Sequence, residues 1–263
     1  MKKMGLMMVV LAIAAVAFRP DAMAGIHTET VEYKDNEVIL EGYLAYDDAL
    51  KNNAPGVLIV HEWTGLGHYV MKRAQQIAAL GYVVFCADIY GKGIRPKDAQ
   101  EASEQATRYK GDRTLMRQRV TAGLERLKKY EFVDSERIAA VGYCFGGTTV
   151  LELARGGAQI QGVVSFHGGL ETPSPKESKA IKAKILVLHG ADDPFISSEQ
   201  ISAFQDEMRG SHADWQMVSY GNAVHSFTNA DSGVDPAKGI AYNQEADTRS
   251  WKAMEVFLNE LFS

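Results

Sequence analysis

Cys144 stands between glycines two residues before and two residues after it, in Gly142-Tyr143-Cys144-Phe145-Gly146-Gly147. The apolar run Ile138-Ala139-Ala140-Val141 precedes it, and a helix is predicted from Thr148 to Ala154. A reactive side chain on a strand-to-helix turn has the form of a nucleophile elbow, here with a thiol at its tip. Such a turn strains its central residue, so the flanking positions must lack bulk. The sulfur would then stand at a helix N-terminus, where the dipole favours thiolate. A Gly-x-x-x-Gly frame alone arises by chance about once in a chain of this size, so the nucleophile needs partners to be credible. Without them Cys144 is a buried structural cysteine in a helix-packing glycine motif.

In an open parallel sheet, reactive groups collect beyond the C-terminal ends of the strands. His225 follows the predicted strand Trp215 to Tyr220 and meets that rule, whereas His212 precedes the same strand and falls at the opposite edge. Asp193 follows the strand ending at His189 and is the favoured acid, with the adjacent Asp192 as a cap or loop ligand. The order Cys144, Asp193, His225 thus reads nucleophile, acid, base. His225 would take the thiol proton and later protonate the leaving group, while Asp193 orients the ring. Glu62, in His61-Glu62-Trp63 after the strand Val57 to Val60, also reaches the reactive edge. It is either a salt-bridged loop residue or a gatekeeper that accepts a hydrogen bond from Cys144. The backbone N–H groups of Phe145 and Trp63 are the natural pair of oxyanion donors.

These groups need a scaffold, and the hydrophobic pattern supplies one. Thr28 to Tyr33 and Val38 to Tyr46 read as an antiparallel N-terminal hairpin turning at Asp35-Asn36. Short apolar runs at Val57 to Val60, Tyr82 to Asp88, Ile138 to Val141, Ile160 to Phe166 and Ile185 to His189 have the character of strands buried on both faces. Trp215 to Tyr220 closes the series. Helices are predicted at Val70, Ala74, Ile77 and Ala78, stopped by Gly81, and from about Asp98 to Tyr109, Asp112 to Tyr130 and Ser197 to Met208, with a last one carrying Trp251, Met254, Leu258 and Leu261 on one face. Alternating strands and helices imply a single α/β domain with a mostly parallel, doubly wound sheet.

The 263 residues suit one such domain. Lys2 and Lys3, the apolar stretch Leu6 to Phe18 and Ala22-Met23-Ala24 form a secretory signal pattern over residues 1–24, leaving residues 25–263 as the domain. A retained N-terminal anchor is the alternative, although the stretch is short for a spanning helix. The expected location is the periplasm or the exterior of a bacterium, without membrane attachment after cleavage. Residues 1–24 carry a net charge of +2, so removing them takes the formal charge from −5 to −7. That acidity excludes the electrostatic footprint of a nucleic-acid binder. Cys86, inside an apolar run, reads as a core residue and not as a disulfide partner of Cys144. No metal cluster or cofactor motif is apparent, and a monomer is expected.

The elbow, His61-Glu62, Gly190-Ala191-Asp192-Asp193-Pro194-Phe195 and Tyr220 to Phe227 resemble the dienelactone hydrolase family from about Gly42 to the C-terminus. The resemblance implies an α/β-hydrolase fold and a Cys-His-Asp triad of Cys144, His225 and Asp193. It also implies a glutamate, Glu62, that helps switch the thiol to thiolate. The implied reaction is hydrolysis of a small ester or enol-lactone through a thioester, without a cofactor. Members acting on dienelactones place arginines around the substrate carboxylate. The resemblance sets Lys92 and Asn229 at those positions, and Tyr90, Lys92, Arg95 and Asn229 are the expected substrate-binding residues. Lys does not replace Arg at a bidentate carboxylate site. A non-catalytic exported binding protein on the same fold is the competing reading. A thiol-redox protein would require a Cys-x-x-Cys pair, which the chain lacks.

Overall fold

The computed structural model describes residues 25–50 and 53–263. The predicted signal at residues 1–24 lies outside them. Among the described residues no helix is long and apolar enough to cross a membrane.

The strands are β1 (Ile26–Asp35), β2 (Val38–Asp47), β3 (Ala54–Val60), β4 (Val83–Ala87), β5 (Val133–Tyr143), β6 (Gly162–Phe166), β7 (Lys184–Gly190) and β8 (Trp215–Tyr220). They form one sheet in the order β1-β2-β4-β3-β5-β6-β7-β8. β1 pairs antiparallel with β2, and β2 with β4; from β4 to β8 every pairing is parallel. This is the single α/β domain with an antiparallel N-terminal hairpin that the pattern predicts.

The helices are α1 (His68–Ala78), α2 (Ala99–Gly111), α3 (Arg113–Lys128), α4 (Phe145–Arg155), α5 (Ser198–Ser211) and α6 (Gln244–Phe262). The continuous apolar runs of the inner strands follow from coverage on both sides. Successive β3 residues alternate between two cores, Leu58 and Val60 facing one and Val57 and Ile59 the other. The first core contains Tyr109, Val120, Val150 and Phe204 of α2 to α5, and the second contains Val70, Ile77, Met254 and Leu258 of α1 and α6. Cys86 is buried in the second core, and both thiols are free.

Two boundaries differ from expectation for a reason that bears on the site. Helix α4 begins at Phe145, immediately after the thiol, with Cys144 as its N-cap. β5 runs on to Tyr143, two residues beyond the predicted Val141. The strand therefore delivers the cysteine directly to the helix, with no intervening loop to blur its position.

Candidate active site

Cys144 adopts φ 55° and ψ −115°, a backbone region that L-residues seldom occupy. The surrounding packing enforces it. A Cβ on Gly142 would lie 2.0 Å from the Gly146 carbonyl oxygen, and one on Gly146 would lie 2.2 Å from that of Val60. Only glycine permits the turn to close this tightly. The Cys144 N–H is held by the Phe166 carbonyl at 3.0 Å and by Nδ1 of His167 at 3.1 Å. Because that nitrogen accepts, the His167 hydrogen sits on Nε2, which donates to Thr228 Oγ1 at 2.7 Å. Burial first, then the charges of His225 and Arg73, keeps His167 neutral well below the usual histidine range.

The long loop after β8 brings His225 to the sulfur, its Nε2 lying 3.1 Å from Cys144 Sγ. On the other side of the ring, Nδ1 lies 2.8 Å from Asp193 Oδ2. The Phe195 N–H donates to Asp193 Oδ1 at 2.9 Å, so this carboxylate cannot swing away. His225 is itself pinned by backbone bonds, its N–H to Gly239 O and its carbonyl from Ala241 N–H. Burial works against a charged ring here, but Cys144 and Asp193 outweigh it and raise His225 to about 10. Asp193 is the carboxylate that faces His225, whereas the neighbouring Asp192 is exposed, and His212 is exposed ahead of β8.

Glu62 lines the same cavity but does not meet the sulfur in the way expected of a gatekeeper. Its Oε2 accepts from Asn229 Nδ2 at 2.9 Å and its Oε1 from Ser226 Oγ at 3.3 Å. Burial raises its pKa, while those two bonds, His225 and Arg73 pull the other way. The resting thiol is instead engaged by His225. The N–H groups of Trp63 and Phe145 have no partner among the described residues, and both residues line the cavity.

The cavity has a volume of about 700 Å³. Trp63, Tyr69, Ala106, Thr107, Phe145 and Phe195 form much of its wall, with α2 as one side. Three residues expected to bind substrate are not there. The loop after β4 folds back on the N-terminal hairpin through Lys92 N–H to Ile39 O at 2.9 Å. That turns Lys92 onto Glu32, and Arg95 onto Glu41 at 3.3 Å. Tyr90 is buried behind the site, its hydroxyl donating to Trp63 O at 2.8 Å. Asn229 does line the cavity, with its amide committed to Glu62. The lysine that lines it, Lys110, lies 3.9 Å from Glu171, and Arg113 approaches the same carboxylate at 3.4 Å.

Sequence reasoning passed over His167, although it directly follows β6 and the strand-end rule applied to it equally. It also left unused a buried line behind the elbow. Thr228 Oγ1 meets Tyr69 OH at 2.5 Å, and Arg73 joins Thr228 O at 2.6 Å and Asp247 at 2.5 Å. Among the described residues no group of His, Cys, Asp and Glu side chains has the clustering needed to hold a metal ion.

The model of the dienelactone hydrolase family matches residues 40–262. Among solved structures, the protein m3DLH is 37% identical with a TM-score of 0.88, over 91% of this chain and 100% of that one. A dienelactone hydrolase-like promiscuous phosphotriesterase from metagenomic libraries is 38% identical with a TM-score of 0.85, over 90% of this chain and 99% of that one. A probable 2-oxo-3-(5-oxofuran-2-ylidene)propanoate lactonase of Bradyrhizobium sp is 28% identical, covering 76% of this chain and 86% of that protein.

Proposed function

The chain belongs to the dienelactone hydrolase family, and from that premise we propose that it hydrolyses small, uncharged carboxylic esters or lactones through a thioester on Cys144. The observation that carries the reading is the line Sγ–His225–Asp193, 3.1 Å and 2.8 Å long, at the wall of a cavity large enough for a small ester. With Asp193 against one ring nitrogen and the sulfur against the other, His225 is raised to about 10, which suits it to act as the acid toward the leaving group. The thiolate adds to the carbonyl carbon, and the oxygen takes the electron pair between the N–H groups of Trp63 and Phe145. As the C–O bond breaks, Nε2–H of His225 gives its proton to the departing alcohol. Neutral His225 then takes a proton from water, whose oxygen attacks the thioester and expels the thiolate. Asp193 keeps the ring oriented and balances its charge in both halves.

The cavity wall supports the substrate class. Lys110 is shared with Glu171, and Glu62 and Asp231 add further carboxyl groups, so among the described residues lining the cavity an anionic acyl group meets no lysine or arginine without a carboxylate neighbour. With Lys92 and Arg95 turned to the hairpin, a carboxylate-bearing dienelactone loses its expected anchors. The proposed setting remains the periplasm or the exterior, on the strength of the signal pattern at residues 1–24.

The test is a panel of neutral esters, lactones, a dienelactone and a neutral phosphotriester (the last because of the 38% identical relative) given to the protein and to Cys144→Ala. Turnover of neutral esters, an acyl adduct on Cys144 by mass spectrometry and loss of both in the variant are expected. Ester turnover that survives Cys144→Ala would end the proposal. Ligand binding with neither turnover nor adduct would favour the non-catalytic binding protein.

A further inference from the structure

His61 is fully buried beneath the loop that follows β3, and its two ring nitrogens leave it one protonation state. Nδ1 lies 2.6 Å from the Glu62 carbonyl oxygen, which can only accept, so Nδ1 carries the hydrogen. Nε2 takes the Ile89 N–H at 3.2 Å, so Nε2 carries the lone pair. Burial lowers the ring to about 4, against the pull of the Glu62 carbonyl and Asp88, so it remains neutral at ordinary pH.

The carbonyl it holds belongs to the Glu62–Trp63 peptide. The same oxygen accepts the Gly65 N–H at 3.1 Å. No peptide of the described chain is cis, and a planar trans unit points its C=O and N–H in opposite directions. Clamping the Glu62 oxygen on the His61 and Gly65 side therefore turns the Trp63 N–H to the other side, toward the cavity that this loop lines. The Tyr90 hydroxyl holds the next carbonyl, Trp63 O, at 2.8 Å. The His61 ring also stacks on Phe145, whose N–H is the second oxyanion donor, with centroids 5.9 Å apart and planes 17° apart.

We infer that His61 is a positioning residue for the reaction, its Nδ1–H fixing the Glu62–Trp63 peptide so that the Trp63 N–H is preorganised for the oxyanion. The inference rests on the acyl-transfer reading above. A donor contributes to catalysis only when it is already aimed where charge develops, because reorganisation otherwise consumes the gain. His61 touches no substrate atom. It acts through one peptide plane.

Two substitutions separate aim from bulk. His61→Gln reaches the Nε2 position with its amide oxygen, so it can still accept from Ile89 but no longer donates to Glu62. His61→Asn carries its amide NH2 near the Nδ1 position and restores that donor. Each variant is assayed for kcat and KM on a neutral ester and for alkylation of Cys144 by iodoacetamide. Alkylation is displacement at a saturated carbon and develops no oxyanion.

His61→Gln should lower kcat on the order of 10–100-fold, somewhat less than deleting a donor outright, with KM changed by about twofold or less. Its alkylation rate should stay within about twofold of the parent, because the contacts of the sulfur with His225 and of His225 with Asp193 are untouched. His61→Asn should recover at least about fivefold of the lost kcat. A parallel fall of kcat and alkylation in His61→Gln would mean general disruption and overturn the assignment. So would an unchanged kcat, or an Asn variant no better than the Gln variant. Should the parent alkylate rapidly yet turn over no ester, lactone or phosphotriester, the proposed function itself fails and takes this inference with it.

Discussion

Asp193→Asn removes one charge and almost no volume, and the structure dictates how the new side chain must sit. Asp193 Oδ1 accepts from the Phe195 N–H at 2.9 Å, while Oδ2 faces His225 Nδ1 at 2.8 Å. A backbone N–H needs an acceptor, so the amide oxygen of the variant must take the Phe195 side. Its NH2 is then forced against His225 Nδ1, which has to become an acceptor, and the ring hydrogen moves to Nε2. That nitrogen then has no lone pair with which to take a proton from Cys144, so the charged ring of the parent cannot form. The carboxylate that helps Cys144 hold His225 charged up to about pH 10 is lost as well, and burial then drives the ring toward neutrality. For a wrong-tautomer base the loss in acylation is on the order of 10³–10⁴-fold, or about 4–5.5 kcal/mol. Stopped-flow release of a chromophoric alcohol in a single turnover at neutral pH measures it directly. The deficit should shrink as pH rises, because the thiol then ionises without help from the base. A loss below about tenfold in a variant of normal denaturation midpoint would refute the assigned roles of Asp193 and His225.

Gly146→Ala would set a Cβ 2.2 Å from Val60 O and 2.6 Å from Val60 C, both backbone atoms of a central strand that cannot yield. Destabilisation at or beyond the ~3 kcal/mol upper range of overpacking is expected from the urea midpoint, and a shift below about 1 kcal/mol would contradict the packing of the elbow. Replacing both Lys92 and Arg95 by Ala should change kcat/KM for a neutral ester by about twofold or less, since both point to the hairpin carboxylates; a tenfold loss would return them to the substrate site. Burial lowers His61 from 6.5 to about 4, so between those pH values the unfolded chain binds a proton that the folded chain refuses. Stability conferred by its neutral ring is therefore lost as pH falls through that window, by about 3 kcal/mol in total at 1.36 kcal/mol per unit. The melting temperature of His61→Asn should fall less steeply with acid than that of the parent, and identical slopes would argue against a buried neutral ring.

The strands and helices were legible because each inner strand is an apolar run bounded by turn residues, and the helices other than α4, which is buried along its whole length, have a buried and an exposed side. The cysteine was legible because its glycines are local, two residues away on either side. His225 and Asp193 were reachable through topology alone, since residues that follow parallel strands share an edge whatever their distance in sequence. The same rule applied to His167, directly after β6, and was not used there. The partners of Glu62 were not legible. Ser226 and Asn229 lie on a loop more than 160 positions away, and nothing local marks which carboxyl they will meet.

Lys92 and Arg95 show where a family alignment stops being informative. Their positions relative to Asp88 suggested a substrate anchor, but whether a long cation points into a cavity depends on the nearest carboxylates. Here those are Glu32 and Glu41 on a hairpin that folds against the same loop.

By itself the sequence determined the layered α/β sheet and the glycine-flanked turn that presents Cys144 after a strand, because hydrophobic period and turn geometry are local properties of the chain. Only the tertiary structure decided which acid faces the imidazole, which charges the cavity keeps, and which carbonyl the buried His61 holds. Those are set by angstrom-scale contacts between segments far apart in the chain, where a single hydrogen bond fixes the direction of a rigid peptide plane.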